Sequence, residues 1–257
     1  DSMRFIFLLP ADIKGKQKVL ETHFSYQPEK VFEEDGIKYA EFKFSPRDMY
    51  KTKVTITVIM DIYRCNLKTI KKGGATIQSS PAELEPYLID EQFIEKDDPF
   101  IQEIAAKLKG KSTEKTAQNI YKYVSGKILY KNKETDFSAK YALTYERGMC
   151  KAFSTSFVAL CRALSIPARR VYGYTNDIER PGKHSWAEYY DENWGWIPVD
   201  PTIGKKLALG SLENKYIYLS HKLHDERMDY AEFYRYWYKF SGEKPEVKEF
   251  YSLREFL

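Results

Sequence analysis

Three side chains in this sequence could together break an amide bond: Cys150, His184 and Asp200. A thiol attacks a carbonyl carbon only as its thiolate. Free cysteine has a pKa of about 8.5, and a helix N-terminus or an imidazolium neighbour lowers it by one to several units. Cys150 follows Gly148-Met149, and beyond it Phe153, Phe157, Val158, Leu160, Cys161 and Leu164 recur at helical spacing up to Ser165-Ile166-Pro167. That spacing puts Cys150 at or near a helix N-terminus, where unpaired N–H groups and the positive end of the dipole favour an anion. His184 opens a strand-like run to Tyr190, and Trp194–Val199 forms the next, just before Asp200. Asp191-Glu192-Asn193 between them has turn chemistry. A hairpin there sets His184 and Asp200 at the same end of two antiparallel strands. From that position a carboxylate accepts the imidazole N–H and fixes its tautomer, and the imidazole takes the thiol proton.

The elements that must carry these residues are legible around them. Ala168–Tyr174 is a strand candidate, followed by a polar loop, 175–183. Upstream, Asp98-Pro99 is an N-cap followed by a proline at the first helical position, and Ile101, Ile104, Ala105 and Leu108 recur at helical spacing before Gly110. A second helix runs from Ser112 or Thr113 towards Lys127, with Ile120, Tyr121, Val124 and Ile128 on one face. Before residue 95 the pattern is strand-like: Arg4–Leu9, Lys18–Tyr26, Ile37–Phe44 with a bulge expected near Ala40-Glu41, and a period-two run from Val54 to Ile62. Gly73 to Asp98, with Gly73-Gly74 and Pro81, reads as a linker. The expectation is an α+β chain: a β-rich, sandwich-like domain over residues 1–95, and a catalytic domain over 96–257.

Bulk composition bounds the function. The chain has 257 residues, is 43% hydrophobic and 30% charged, and carries a net charge of +4. It can bury a real core, and its basic residues are dispersed apart from pairs such as Lys71-Lys72 and Lys205-Lys206. Those pairs read as solvated surface, so no nucleic-acid partner is expected. Three cysteines, Cys65, Cys150 and Cys161, make no disulfide framework and no metal spacing. No run of about 18 apolar residues would span a membrane. The start, Asp1-Ser2-Met3, looks trimmed, so a removed export signal is an open alternative. An extracytoplasmic (periplasmic or secreted) location is expected, with the cytoplasm kept as the alternative.

Residues 147–202 resemble the core of the transglutaminase-like superfamily, especially its bacterial members. Gly148-Met149-Cys150 is similar to that family's nucleophile segment. Cys161-Arg162-Ala163-Leu164-Ser165-Ile166-Pro167-Ala168-Arg169 resembles its R-x-x-G-I-P-A-R stretch, with Ser165 where glycine is usual. Val171-Tyr172-Gly173-Tyr174, His184-Ser185-Trp186-Ala187-Glu188 and Trp196-Ile197-Pro198-Val199-Asp200-Pro201-Thr202 resemble the later blocks in order. The resemblance implies a papain-like, transglutaminase-like core and a Cys-His-Asp triad of Cys150, His184 and Asp200. It also implies acyl transfer from a peptide or protein amide to water or to an amine. No cofactor and no metal are expected. Many bacterial members of the family carry an N-terminal β-sandwich.

Other residues are weighed on their surroundings. The backbone N–H of Cys150 is one oxyanion donor; the second is open, with Gln118 or a group near Tyr145 as candidates. Trp186, Trp194 and Trp196 could line an acyl groove or sit in the core. Arg169 or Arg170 is expected to pair with a carboxylate, Glu188 being a candidate. Cys161 reads as core. His23 reads as strand surface. His221 and His224 could share a helix face as a metal pair, but read better as solvated or capping residues. The aromatic tail, Tyr216 to Phe240, reads as a helix packed on the domain, with a carbohydrate or peptide platform as the alternative. Hydrolysis is expected ahead of amine transfer, and an idle binding module is the third reading.

Overall fold

The computed structural model describes residues 2–45, 52–67, 79–177, 181–204, 209–239 and 246–255. The Lys71-Lys72 and Lys205-Lys206 pairs and Gly73-Gly74 lie outside the described residues. The chain forms two compact units: residues 1–63, 172–183 and 215–257 in one, 64–171 and 184–214 in the other. A single boundary at residue 95 does not describe this grouping, because the N-terminal strands recruit two later segments.

The first unit begins with five strands: β1 (Ser2–Leu9), β2 (Gln17–Phe24), β3 (Lys30–Glu34), β4 (Ile37–Phe44) and β5 (Ile56–Ile62). β1 pairs antiparallel with β4, and β4 with β3; β2 pairs with β5 in a separate sheet. The bulge expected at Ala40-Glu41 is absent from β4, whose register with β1 runs unbroken from Lys38 to Phe44. The apolar phase changes there for another reason: both faces of the sheet are covered. Ile37 and Tyr39 join Ile6 and Leu8 in one cluster, whereas Ala40, Phe42 and Phe44 join Met3 and Leu9 in another, against Phe24 and Ile56. The irregularity falls in β2 instead, between Val19 and Glu21.

The second unit carries the helices. A two-residue strand β6 (Cys65–Asn66) precedes a single turn α1 (Pro81–Leu84), which is closed by a capping box between Ser80 and Glu83. The segment read as a linker is thus structured where it is described. α2 (Pro99–Leu108) starts at Asp98, whose carboxylate accepts from Phe100 N at 2.9 Å, and buries Ile101, Ile104 and Ala105. α3 (Thr113–Lys127) starts at Ser112, which accepts from Lys115 N at 3.2 Å. Then follow β7 (Leu129–Tyr130), α4 (Ala139–Tyr145), β8 (Arg147–Gly148) and α5 (Cys150–Ala163). α2, α3 and α4 all pack on α5. Every residue of α5 from Ala152 to Arg162 is consequently buried, polar ones included.

β9 (Ala168–Thr175), β10 (Gly182–Asp191) and β11 (Gly195–Val199) lie in one sheet in the order β11-β10-β9. The β10–β11 turn forms as expected: Asp191 Oδ1 accepts from Asn193 N at 2.9 Å, and Gly195 adopts φ +73°. β12 (Ser211–Leu212) pairs with β6.

The tail corrects the sequence reading. Its described residues, 216–239, form no helix: β13 (Tyr216–Ser220) pairs with residues 172–175 of β9, and β14 (Tyr234–Lys239) pairs with β1. Aromatic residues favour strands, and the alternation of Tyr234, Tyr236 and Tyr238 is a strand period. Tyr234 stacks on Phe7 and Tyr236 on Phe5, partners more than 200 residues away in sequence. His221 and His224 lie between these strands in a turn-rich stretch, so they share no helix face; the His224 ring is 4.6 Å from that of Tyr230.

Candidate active site

Cys150 is the first residue of α5, after Met149 as N-cap. Its N–H has no acceptor within the helix, whereas Ala152 N bonds Met149 O at 2.9 Å. Gly148 makes this approach feasible, since a Cβ there would stand 2.3 Å from the Cβ of Ala152. The opposite end of the helix is closed by a Schellman arrangement: Ile166 N bonds Cys161 O at 3.0 Å and Ser165 N bonds Arg162 O at 3.0 Å. Ser165 occupies the left-handed position, φ +59°. The backbone therefore keeps the glycine conformation and serine tolerates it.

His184 and Asp200 stand at the same end of the β10–β11 hairpin, where Ala187 pairs with Val199. His184 Nε2 is 2.7 Å from Asp200 Oδ2, and both side chains are buried. That bond leaves Nδ1 as the nitrogen that bonds the Cys150 thiol. The sulfur also accepts from the main-chain N–H of Ser185. Asp200 is held in turn: Oδ1 accepts from Thr202 N at 3.0 Å. α3 anchors the loop that follows, through Ser125 Oγ donating to Pro201 O at 2.8 Å and Tyr121 Oη donating to Gly204 O.

The electrostatics favour a thiolate–imidazolium pair. Burial acts to raise the Cys150 pKa, but the hydrogen bond and charge of His184, with the Ser185 N–H, outweigh it and hold the thiol below its ordinary value. Burial acts to lower the His184 pKa, but the Asp200 carboxylate, by charge and by hydrogen bond, and then Cys150 raise it above the ordinary imidazole value. Burial, with a smaller contribution from Asp200, pushes the Tyr121 phenol up, so it stays protonated as a donor.

The remaining expected residues take different places. Trp186 is fully buried and stacks on His184 at 6.1 Å between ring centres, so it backs the histidine and lines no groove. Trp194 is half-buried in the hairpin turn. Trp196 is half-buried, 4.0 Å from the Arg169 guanidinium, and its ring meets Tyr87 and Tyr190 edge-on. Arg169 pairs with the buried Glu188 at 2.7 Å, which is the expected partner. Gln118 accepts from Lys115 at 3.0 Å. Tyr145 is exposed, its ring 4.7 Å from Tyr141. Cys161 is fully buried. His23 is exposed beside Glu21 at 2.8 Å.

Sequence reasoning missed Ser154, Ser185, Ser125 and Tyr121, whose hydrogen bonds surround Cys150, His184 and the loop after Asp200. The signal for the first two was available: Ser154 falls one helical turn after Cys150, and Ser185 adjoins His184.

Comparison with known proteins shows what the chain is similar to. Residues 100–201 match the family model described as Transglutaminase-like superfamily. A chain from Cytophaga hutchinsonii, described as a candidate cysteine protease, superposes with a TM-score of 0.64 at 20% identity, covering 92% of this chain and 80% of that one. That likeness is one of fold. Among curated proteins, YebA of Bacillus subtilis, itself uncharacterized, is 28% identical over 100 residues, 34% of this chain and 14% of that protein. A protein-glutamine gamma-glutamyltransferase of Pseudomonas aeruginosa is 34% identical over 65 residues, 21% of this chain and 10% of that protein. The chain thus spans a small part of the length of these two relatives.

Proposed function

We propose that this protein cleaves amide bonds of peptides or proteins through a thioester on Cys150. The observation that carries the reading is the continuous hydrogen-bonded series from the Cys150 thiol through His184 to the buried Asp200 carboxylate, at a helix N-terminus. The thiolate attacks the amide carbonyl, and a C–S bond forms. The Cys150 N–H faces the developing oxyanion. His184, as imidazolium, gives its Nδ1 proton to the leaving amine as the C–N bond breaks. Water then attacks the thioester, His184 takes its proton, and the C–S bond breaks to release the acid. Asp200 keeps the proton on Nε2 and opposes the charge that develops on the ring.

Amine transfer is the second reading. It is favoured by the likeness to the Pseudomonas aeruginosa glutamyltransferase. There a lysine amine replaces water in the second half-reaction, and every earlier step is the same. An extracytoplasmic location goes with the proposal, and fractionation of the native source with the chain in the soluble cytoplasm would remove it. No helix among the described residues is long and apolar enough to cross a membrane.

The deciding experiment treats a mixture of reporter amides and a glutamine peptide with a labelled amine. Release of free acid supports hydrolysis, and label incorporated into the peptide supports transfer. Activity retained by Cys150→Ala defeats both readings. Iodoacetamide reacting at Cys150 at pH 6 no faster than with a free thiol leaves the fold an idle binding module.

A further inference from the structure

Two serines tie the nucleophile helix to the histidine strand, and the chemistry above uses neither side chain. Ser154 stands one turn after Cys150 on α5, and Ser185 follows His184 on β10. Their exposures are 0% and 2%. The two hydroxyl oxygens are 2.9 Å apart. Ser154 Oγ is also 2.9 Å from Lys151 O and 3.1 Å from Cys150 O, the two carbonyls of the helix's first turn. Ser185 Oγ is 3.2 Å from Val171 O on β9.

Of the neighbours of Ser154 along α5, Phe153, Phe157 and Val158 are apolar and buried, while Thr155 Oγ1 donates to Phe137 O at 2.5 Å. An apolar contact between a helix and a sheet resists sliding weakly, because dispersion has little direction. A hydroxyl pair is different. It withdraws two polar groups from water, and only one register satisfies them. Here that register links the turn that begins with Cys150 to the residue beside His184. Ser185 acts at a second point too, since its main-chain N–H donates to the Cys150 sulfur.

We propose that the Ser154–Ser185 hydrogen bond is the registration device of this site, locking the first turn of α5 to β10 so that the Cys150 sulfur meets the His184 ring. Both serines are positioning residues: they touch neither the scissile amide nor the transferred proton through their side chains. The inference rests on the reading of Cys150 and His184 as the reacting pair.

The test follows iodoacetamide alkylation of Cys150 across pH by mass spectrometry, which needs no substrate. The whole chain is used as wild type, Ser154→Ala, Ser185→Ala, Ser154→Thr and the double alanine variant, each checked for cooperative thermal unfolding. Loss of one net hydrogen bond is worth about fivefold, so each single alanine variant should slow alkylation at pH 6 by about that factor and move the thiolate titration upward. The double variant should be no slower than the slower single one, because one bond serves both residues. Ser154→Thr keeps the hydroxyl and should stay within about twofold of wild type. A wild-type pH profile in folded Ser185→Ala, or fully additive losses in the double variant, overturns the pairing. If Ser154→Ala does not fold, Ser185→Ala and Ser154→Thr decide alone. An ordinary free-thiol profile in the wild type defeats the reading of the site itself, which is a different failure.

Discussion

Two cysteines on one helix meet opposite fates. Cys150 begins α5 and is half-buried, whereas Cys161 lies near its end and is fully buried. At Cys161 burial acts almost alone and pushes the thiol far above its ordinary value, with only a small opposing influence from Arg162. At Cys150 the effect of burial is outweighed by His184 and the Ser185 N–H, and the thiol falls below its ordinary value. Burial does not decide thiol reactivity, then. What decides it is whether donors face the sulfur, and β10 supplies them only at the N-terminal end of the helix. The C-terminal end of α5 has a structural task. Arg162, nearly fully buried, donates to Ala168 O at 2.9 Å and to Ile89 O at 2.9 Å, and pairs with Glu91 at 2.6 Å. One end of the helix is arranged for chemistry and the other for stability.

That contrast can be broken in several places. The largest effect is expected from Cys150→Ala: complete loss of amide turnover, with the thermal unfolding midpoint within a few degrees of wild type. Cys161→Ala should leave turnover in place, and the reverse result in either variant would collapse the distinction. Asp200→Asn should keep the hydrogen bond but favour the wrong tautomer of His184, with kcat falling on the order of 10³–10⁴, as in serine proteases whose triad aspartate is amidated. Steady-state kinetics on a reporter amide checks it. Arg162→Ala should leave Glu91 and two carbonyls without their donor at the structural end. Its expected cost is about 3–5 kcal/mol in urea unfolding, with kcat little changed in the fraction that folds.

Titration sharpens the comparison further. A lowered thiol pKa means more thiolate at a given pH, so alkylation of Cys150 should fall less steeply between pH 8 and pH 6 than that of an ordinary thiol. An ordinary thiol, with pKa about 8.5, loses roughly tenfold per unit over that range. Cys161, raised, should stay unlabelled throughout unless the chain is unfolded. The smallest effect belongs to Ser165→Gly. Relief of a left-handed serine gains about 1–2 kcal/mol, against the extra chain entropy of glycine at about 0.5–1 kcal/mol. A net stabilisation under about 1 kcal/mol should appear in urea unfolding with no change in kcat.

Local signals made much of this legible beforehand. The helix starts at Asp98-Pro99 and Ser112, the turn at Asp191-Glu192-Asn193 and the position of Cys150 all depend on residues within one or two turns of each other. Such features are set by backbone hydrogen bonding and caps, which the chain reads locally. The aromatic tail was misread as a helix although Tyr234, Tyr236 and Tyr238 alternate with a strand period, and its partners lay beyond local reach. Tyr234 and Tyr236 find Phe7 and Phe5 across the length of the chain, and no local period announces such partners.

The amino-acid sequence by itself determined which chemistry is on offer: a cysteine at a helix start, with a histidine and an aspartate at matching ends of a hairpin. Tertiary structure alone decided how those groups are held. It set the Asp200 carboxylate 2.7 Å from the His184 ring, put Trp186 behind that ring, and buried α5 on every side so that Ser154 could reach Ser185. The physical reason is that residue type and spacing fix what a side chain can do, whereas the distances that set pKa and geometry arise between elements far apart in the chain. Those distances exist only once the core has packed.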